Sequence, residues 1–198
     1  TDCAADQARA LSWDFQAGKP AILLPGNGGI DLELFYPLAQ ADDNLRVINP
    51  RGVRAYVRND TFFQAIPLVL KEAPGTRFLC LGMRGEALAE RWLSQLEIAG
   101  QVDLLPKLPR EQVASVFQGC TVAVSPTVHD GTPNTLLEAM ACGCFPIVGD
   151  IPSLREWIEQ GVNGFLVDPS NPAALAQAIV SALRDAGLRQ RAQAVNAC

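Results

Sequence analysis

A doubly wound, parallel α/β sheet of the Rossmann-like kind is the fold class this sequence predicts. Short apolar runs rich in Val, Ile and Leu alternate with amphipathic stretches almost throughout the chain. Strands that are apolar on both faces and separated by helices pair in parallel, joined by right-handed crossovers. With 198 residues, the chain suits one domain that can bury a sizeable core.

The elements follow in order. AILLP (21–25) reads as a strand and LRVIN (45–49) as a second. TFFQAIPLVLKEAPG (61–75) has helical spacing, with Phe62, Phe63, Ile66, Val69 and Leu70 on one side and Pro67 inside it. RFLCLG (77–82) is a strand, and EALAERWLSQLEIAG (86–100) is a helix closed by Gly100. QVDLLP, CTVAVSP, FPIVGD and GFLVDP read as strands. PREQVASVFQG, PNTLLEAMACG, PSLREWIEQG and NPAALAQAIVSALRDAG read as the helices between and after them. No internal repeat or low-complexity segment interrupts this pattern.

Composition narrows the function. Hydrophobic residues make up 48% and charged residues 19%, a globular balance. A net charge of −5 and a pI near 4.9 exclude the dense basic face of a general nucleic-acid binder. Any anion held here must meet a few placed arginines or helix ends. No run of about 18 apolar residues is present, so no segment is expected to span a membrane. TDCAADQARALSWDF lacks the basic and apolar regions of a signal peptide. Of six cysteines, Cys80 and Cys120 sit in strand-like runs as small hydrophobes, and Cys142 and Cys144 bracket a tight turn. With His129 the only histidine, no zinc set is complete and no metal is expected. The expected location is cytoplasmic.

Ligands of doubly wound sheets bind beyond the carboxyl ends of the strands. The loops there are PRGVRAYVRN, GMRGE, LPKLPRE, SPTVHDGTPN and GDIPS. In SPTVHDGTPNTLLEAMA, Thr132 reads as an N-cap and Pro133 as the first helical residue. The first amides of that helix form an anion site, which Gly131 lets a ligand approach closely. Asp130 precedes this site and Glu138 lies inside the helix, two carboxylates suited to the hydroxyls of a sugar or ribose. Residue types alone leave open a capped, buried helix with an exposed Glu138. In the other loop, Arg51, Arg54 and Arg58 stand within eight residues of an acidic protein. They are either a diphosphate grip or solvated loop arginines.

DGTPNTLLEAMACG, then PIVGDIPSLREWI and GVNGFLVDP, resemble the carboxyl-terminal domain of retaining GT-B glycosyltransferases of family 4. The resemblance covers about Leu24 to Leu183 and centres on an acidic-x7-Glu pattern, here Asp130 and Glu138. It implies that Glu138 holds the ribose of a nucleotide-sugar donor and that Leu137 packs beside it. Asp130 would reach the donor sugar, although the family's usual residue there is Glu. Backbone at Gly131, Thr132, Pro133 and Asn134 would face the diphosphate and sugar. Arg51 matches the family's diphosphate arginine, while Arg54 and Arg58 compete for the place of its lysine. Lys107 and Leu108 would lie near the base.

The implied reaction is glycosyl transfer with retention and without a metal or other cofactor. A GT-B enzyme has a second, amino-terminal domain carrying most of the acceptor site. Residues 1–20 therefore read as a linker from that domain, 21–186 as the nucleotide-sugar-binding domain, and 187–198 as a tail. NGGIDLELFYP (27–37) resembles the hinge segment between the domains. The implied partners are the donor and an amino-terminal domain in cis or trans. Nucleic acid is not among them, and peripheral membrane association would come only through the missing domain. Alone, the chain is expected to transfer little. Two alternatives are a non-catalytic nucleotide-sugar-binding or interaction module, and part of a GT-B epimerase or phosphorylase.

Overall fold

The computed structural model describes residues 29–38, 45–131 and 133–197, together with Ala8 and Ser12. The strand expected over 21–25, most of the expected linker and Thr132 lie outside them. The strands are β1 (Arg46–Asn49), β2 (Arg77–Cys80), β3 (Val102–Leu104), β4 (Val122–Ser125), β5 (Phe145–Gly149) and β6 (Phe165–Val167). Among the described residues they form one parallel sheet in the order β3-β2-β1-β4-β5-β6. The helices are α1 (Asn59–Glu72), α2 (Ala87–Gln95), α3 (Arg110–Gln118), α4 (Asn134–Ala141), α5 (Pro172–Arg184) and α6 (Ala186–Asn196).

Side chains that alternate along each strand feed two separate cores. Val47, Phe78, Val122, Val124, Phe145 and Ile147 pack with Phe62, Phe63 and Ile66 of α1 and Leu175 and Ile179 of α5. Ile48 and Ala123 point the other way, to Ala114 and Phe117 of α3 and Ala139 of α4. Leu136 and Met140 of α4 extend that second layer over Val148. Both faces are thus covered, which is why these strands read as continuous apolar runs instead of alternating ones. Phe35, fully buried, meets Phe117 edge-on at 6.5 Å and so seats the 29–38 segment on the α3 side.

Three elements differ from the sequence expectation. The helix expected over 152–161 is only a 3-10 turn, Leu154–Glu156. Asn163 ends it, because its Oδ1 accepts from Glu159 N at 2.7 Å and its Nδ2 donates to Trp157 O at 2.9 Å. A side chain thereby takes backbone groups that a longer helix would use. The helix expected to close at Gly100 ends at Gln95, and Glu97 takes the left-handed turn with φ of 54°. Residues expected to trail off as a tail form α6, capped by Asp185 Oδ1, which accepts from Leu188 N at 2.8 Å.

Cys80, Cys120, Cys142 and Cys144 are buried free thiols. Loss of hydration pushes Cys120 and Cys142 up to about 12 and raises the other two as well. Thiols held protonated at neutral pH are poor nucleophiles. Site-resolved iodoacetamide labelling at pH 8 is expected to be at least about a hundredfold slower at these four sites in the folded chain than in urea. Fast labelling of Cys142 or Cys144 would contradict their packed role.

Candidate functional site

The strand order reverses between β1 and β4, which lie side by side, and both end in long loops. That reversal is where doubly wound sheets open a crevice. The loop after β1 is shaped by two buried asparagines. Asn49 Nδ2 donates to Asn59 Oδ1 at 2.8 Å, and Asn59 Nδ2 donates to Gly52 O at 2.9 Å. Arg51 N donates to Asn49 Oδ1 at 3.1 Å. The start and end of the arginine loop are therefore cross-tied, with Gly52 in the left-handed region at φ of 66°.

Arg51 reaches across to the next loop. Its Nη1 donates to Thr135 Oγ1, in the first turn of α4, at 3.0 Å. Its Nη2 lies 2.8 Å from Asp130 Oδ2, and the two side chains are only 10% and 13% exposed. Arg54 Nε donates to Arg51 O at 3.2 Å, and its Nη1 donates to Tyr56 Oη at 2.8 Å. Arg58 turns elsewhere: it grips Asp60 through two bonds of 2.9 and 2.8 Å and donates to Ser170 Oγ at 2.9 Å. Its guanidinium holds the Asp60 carboxyl below the usual carboxylate range.

The loop after β4 is stitched to the first. Val57 bridges Thr127, Arg58 N donates to Pro126 O at 3.0 Å, and Val128 N donates to Tyr56 O at 2.9 Å. The Thr127 hydroxyl lies 2.7 Å from His129 O and 3.1 Å from Tyr56 O. Asp130 is held by its own turn, with Gly131 N donating to its Oδ1 at 3.1 Å, and by Ser153 Oγ, which donates to its carbonyl at 2.7 Å. The helix expected to begin with Thr132 as cap and Pro133 as first residue begins one residue later. Pro133 occupies the cap position and Asn134 the first. Glycine is required at position 149, since a Cβ there would lie 2.0 Å from Thr127 O.

Glu138 is not the exposed glutamate of a plain capped helix, for it is 9% exposed. Loss of hydration raises its carboxyl above the ordinary value, and Arg110 Nη2, 3.5 Å from Oε1, opposes that rise. Leu137 is half-buried beside it and packs on the Leu136–Met140 cluster. A cleft of about 420 Å³ opens beside the arginine loop after β1, lined by Arg51, Arg54, Leu81, Gly82, Lys107 and Leu108, with Glu86 among the others. The 107–110 segment connects the two regions. Lys107 and Leu108 line the cleft, and Arg110 reaches Glu138.

The structure thus joins Arg51 to Asp130, and sets Arg54, Lys107 and Leu108 along the same cleft as Arg51. It leaves Arg58 committed to Asp60, and Thr132 outside the described residues. Sequence reasoning missed Asn49, Asn59, Tyr56, Thr127, Thr135, Ser153, Arg110 and Gly149. One signal was available: an asparagine closing the apolar run LRVIN is a buried polar group that needs partners.

The doubly wound, Rossmann-like sheet is the fold shared by solved glycosyltransferases, among them the carboxyl-terminal domain of a glycosyl transferase group 1 protein. The chain belongs to the glycosyl transferases group 1 family, whose model matches residues 53–185. It is 27% identical over 214 residues to the D-inositol 3-phosphate glycosyltransferase of Geodermatophilus obscurus, covering 96% of this chain and 47% of the relative. It is 29% identical over 199 residues to the enzyme of that name from Mycobacterium leprae, covering 94% and 46%. The chain therefore spans about half the length of the curated relatives it matches. Among solved structures, Staphylococcus aureus TarM in complex with UDP and other ligands has a TM-score of 0.86 at 15% identity, covering 98% of this chain and 38% of TarM. The carboxyl-terminal domain of a glycosyl transferase group 1 protein from Francisella tularensis has a TM-score of 0.75 at 20% identity, covering 85% and 95%. Among the described residues no helix is long and apolar enough to cross a membrane.

Proposed function

We propose that this chain is the donor-binding part of a retaining glycosyltransferase that works without a metal. The observation that carries the reading is Arg51. It links the carboxyl end of β1 to the amino end of α4 at the switch point, and it lines the open cleft. A diphosphate entering there would meet Arg51, Arg54 and the first amides of α4, a fixed set of positive groups that can take up the charge of a departing nucleoside diphosphate. Gly131, Pro133 and Asn134, at the amino end of α4, would face the diphosphate and sugar, and Lys107 and Leu108, which line the cleft, would face the base. Glu138 accepts hydrogen bonds from the ribose, with Leu137 packed at its side, and Asp130 reaches the hydroxyls of the sugar. Solved relatives of this fold hold UDP with a sugar, as in TarM and in the Anabaena protein crystallised with UDP and glucose. Transfer itself requires an acceptor-binding domain, the implied partner in cis or in trans. Arg51 and Arg54 line the cleft and Arg58 does not, which favours Arg51 as a diphosphate ligand with Arg54 as its companion.

Calorimetric titration with UDP, GDP and ADP and their sugars tests this reading. One base series is expected to bind, and Glu138→Gln is expected to weaken it about tenfold to a hundredfold. The same change is expected to leave the fold as stable or more so at neutral pH. Burial raises the Glu138 carboxyl in the folded state, so the native chain binds more protons and stability falls as pH rises through that window. Removing the charge removes that loss. Absence of binding at millimolar nucleotide, with Glu138→Gln making no difference, refutes a donor site.

A further inference from the structure

We propose that Tyr56 is a positioning residue that makes Arg54 the second cation of the diphosphate site; this rests on the donor-site reading above. Tyr56 lies between both guanidiniums, with its ring centre 5.8 Å from Arg51 Cζ and 6.0 Å from Arg54 Cζ. Its hydroxyl accepts from Arg54 Nη1 at 2.8 Å, so the edge of this aromatic side chain orients Arg54. Tyr56 belongs to none of the three apolar clusters of the described residues, and so core packing does not explain its position. Its backbone is fixed independently, because its carbonyl accepts from Val128 N at 2.9 Å. The ring therefore stands on the seam between the two site loops, and the arginines are registered to the Asp130 loop through it.

Arg54 is exposed and long, and an unsupported arginine loses rotamer freedom on meeting a ligand. Tyr56 removes part of that loss by holding the fork in place beforehand. Arg58 lacks this support and is spent on Asp60 and Ser170. Tyr56 thus supports Arg54, while Asp60 and Ser170 hold Arg58 apart.

The test is a double-mutant cycle on the whole chain, read as affinity for whichever of UDP, GDP and ADP binds tightest. Tyr56→Phe keeps the ring and loses the hydroxyl, and is expected to weaken binding about fivefold. In an Arg54→Gln background the same change is expected to have less than about a twofold effect. Affinity for the matching nucleoside, which lacks phosphate, is expected to stay constant in all four proteins. A merely structural tyrosine would shift nucleoside and diphosphate affinities together. Equal effects of Tyr56→Phe in both backgrounds, or none in either, overturn the inference while the donor site stands. If the unmutated chain binds no diphosphate at all, the donor-site reading and this inference fail together.

Discussion

Replacing Gly149 with alanine is expected to destabilise the fold by about 3 kcal/mol and to weaken nucleoside diphosphate binding beyond what that instability explains. Gly149 ends β5 and is buried, and the added methyl would sit 2.0 Å from Thr127 O and 3.0 Å from Pro169 Cγ. No real side-chain carbon is found at the first of these distances from a backbone oxygen, so the strand or the loop must move. The loop is the softer of the two, because β5 is held on both edges by β4 and β6. Thr127, once displaced, loses its place between the Tyr56 and His129 carbonyls, and the seam carrying Arg51, Tyr56 and Asp130 opens with it. Two measurements check this: a denaturant midpoint for the destabilisation, and a calorimetric titration in conditions where the variant is fully folded. Native affinity in the folded variant would show that the seam does not position the site.

Much of this architecture was legible before the structure. The strands β1 to β6 were each marked by short apolar runs, because a sheet covered on both faces leaves no polar alternation to blur them. Helix α1 was equally plain from its 3.6-residue spacing. What misled was local competition by side chains. The PSLREWIEQ stretch has helical residues throughout, yet Asn163, several positions later, takes its backbone groups. Glu97 stops α2 before the glycine that the sequence offers for the purpose.

The candidate site divides in the same way. Residues whose chemistry stands out by type, such as Arg51 and Asp130, can be named as candidates from the sequence, and the structure places them against each other. Those whose role is to hold others were not, because the contacts of Asn49 with Asn59, or of Thr127 with Tyr56, join residues 10 and 71 positions apart. Arg58 shows the converse. By type it competes with Arg54, and only its fork onto Asp60 separates them.

Asp130→Asn is expected to tighten binding of a bare nucleoside diphosphate by about tenfold while tightening the corresponding nucleotide-sugar less, or weakening it. The reason lies in what Arg51 does when no donor is present. Its guanidinium meets Thr135 at the amino end of α4, where the helix dipole disfavours a cation, and the Asp130 carboxylate 2.8 Å away compensates. Both groups are largely buried, so the pair is worth more than a surface bridge, and a diphosphate arriving at Arg51 must compete with it. Asparagine keeps the side chain's size and can still accept from Gly131 N, but it offers no charge. The free chain is then expected to lose about 3 kcal/mol of stability, since the arginine is left buried without its counter-ion. A diphosphate restores that charge, so added nucleotide is expected to raise the melting temperature of the variant more than that of the parent. A sugar attached to the diphosphate loses the carboxylate that would accept from its hydroxyls, which offsets the gain. The ratio of nucleotide-sugar to nucleotide affinity is therefore the decisive quantity. If Asp130→Asn weakens the bare diphosphate, the carboxylate does not compete for Arg51 and instead orients it for the ligand.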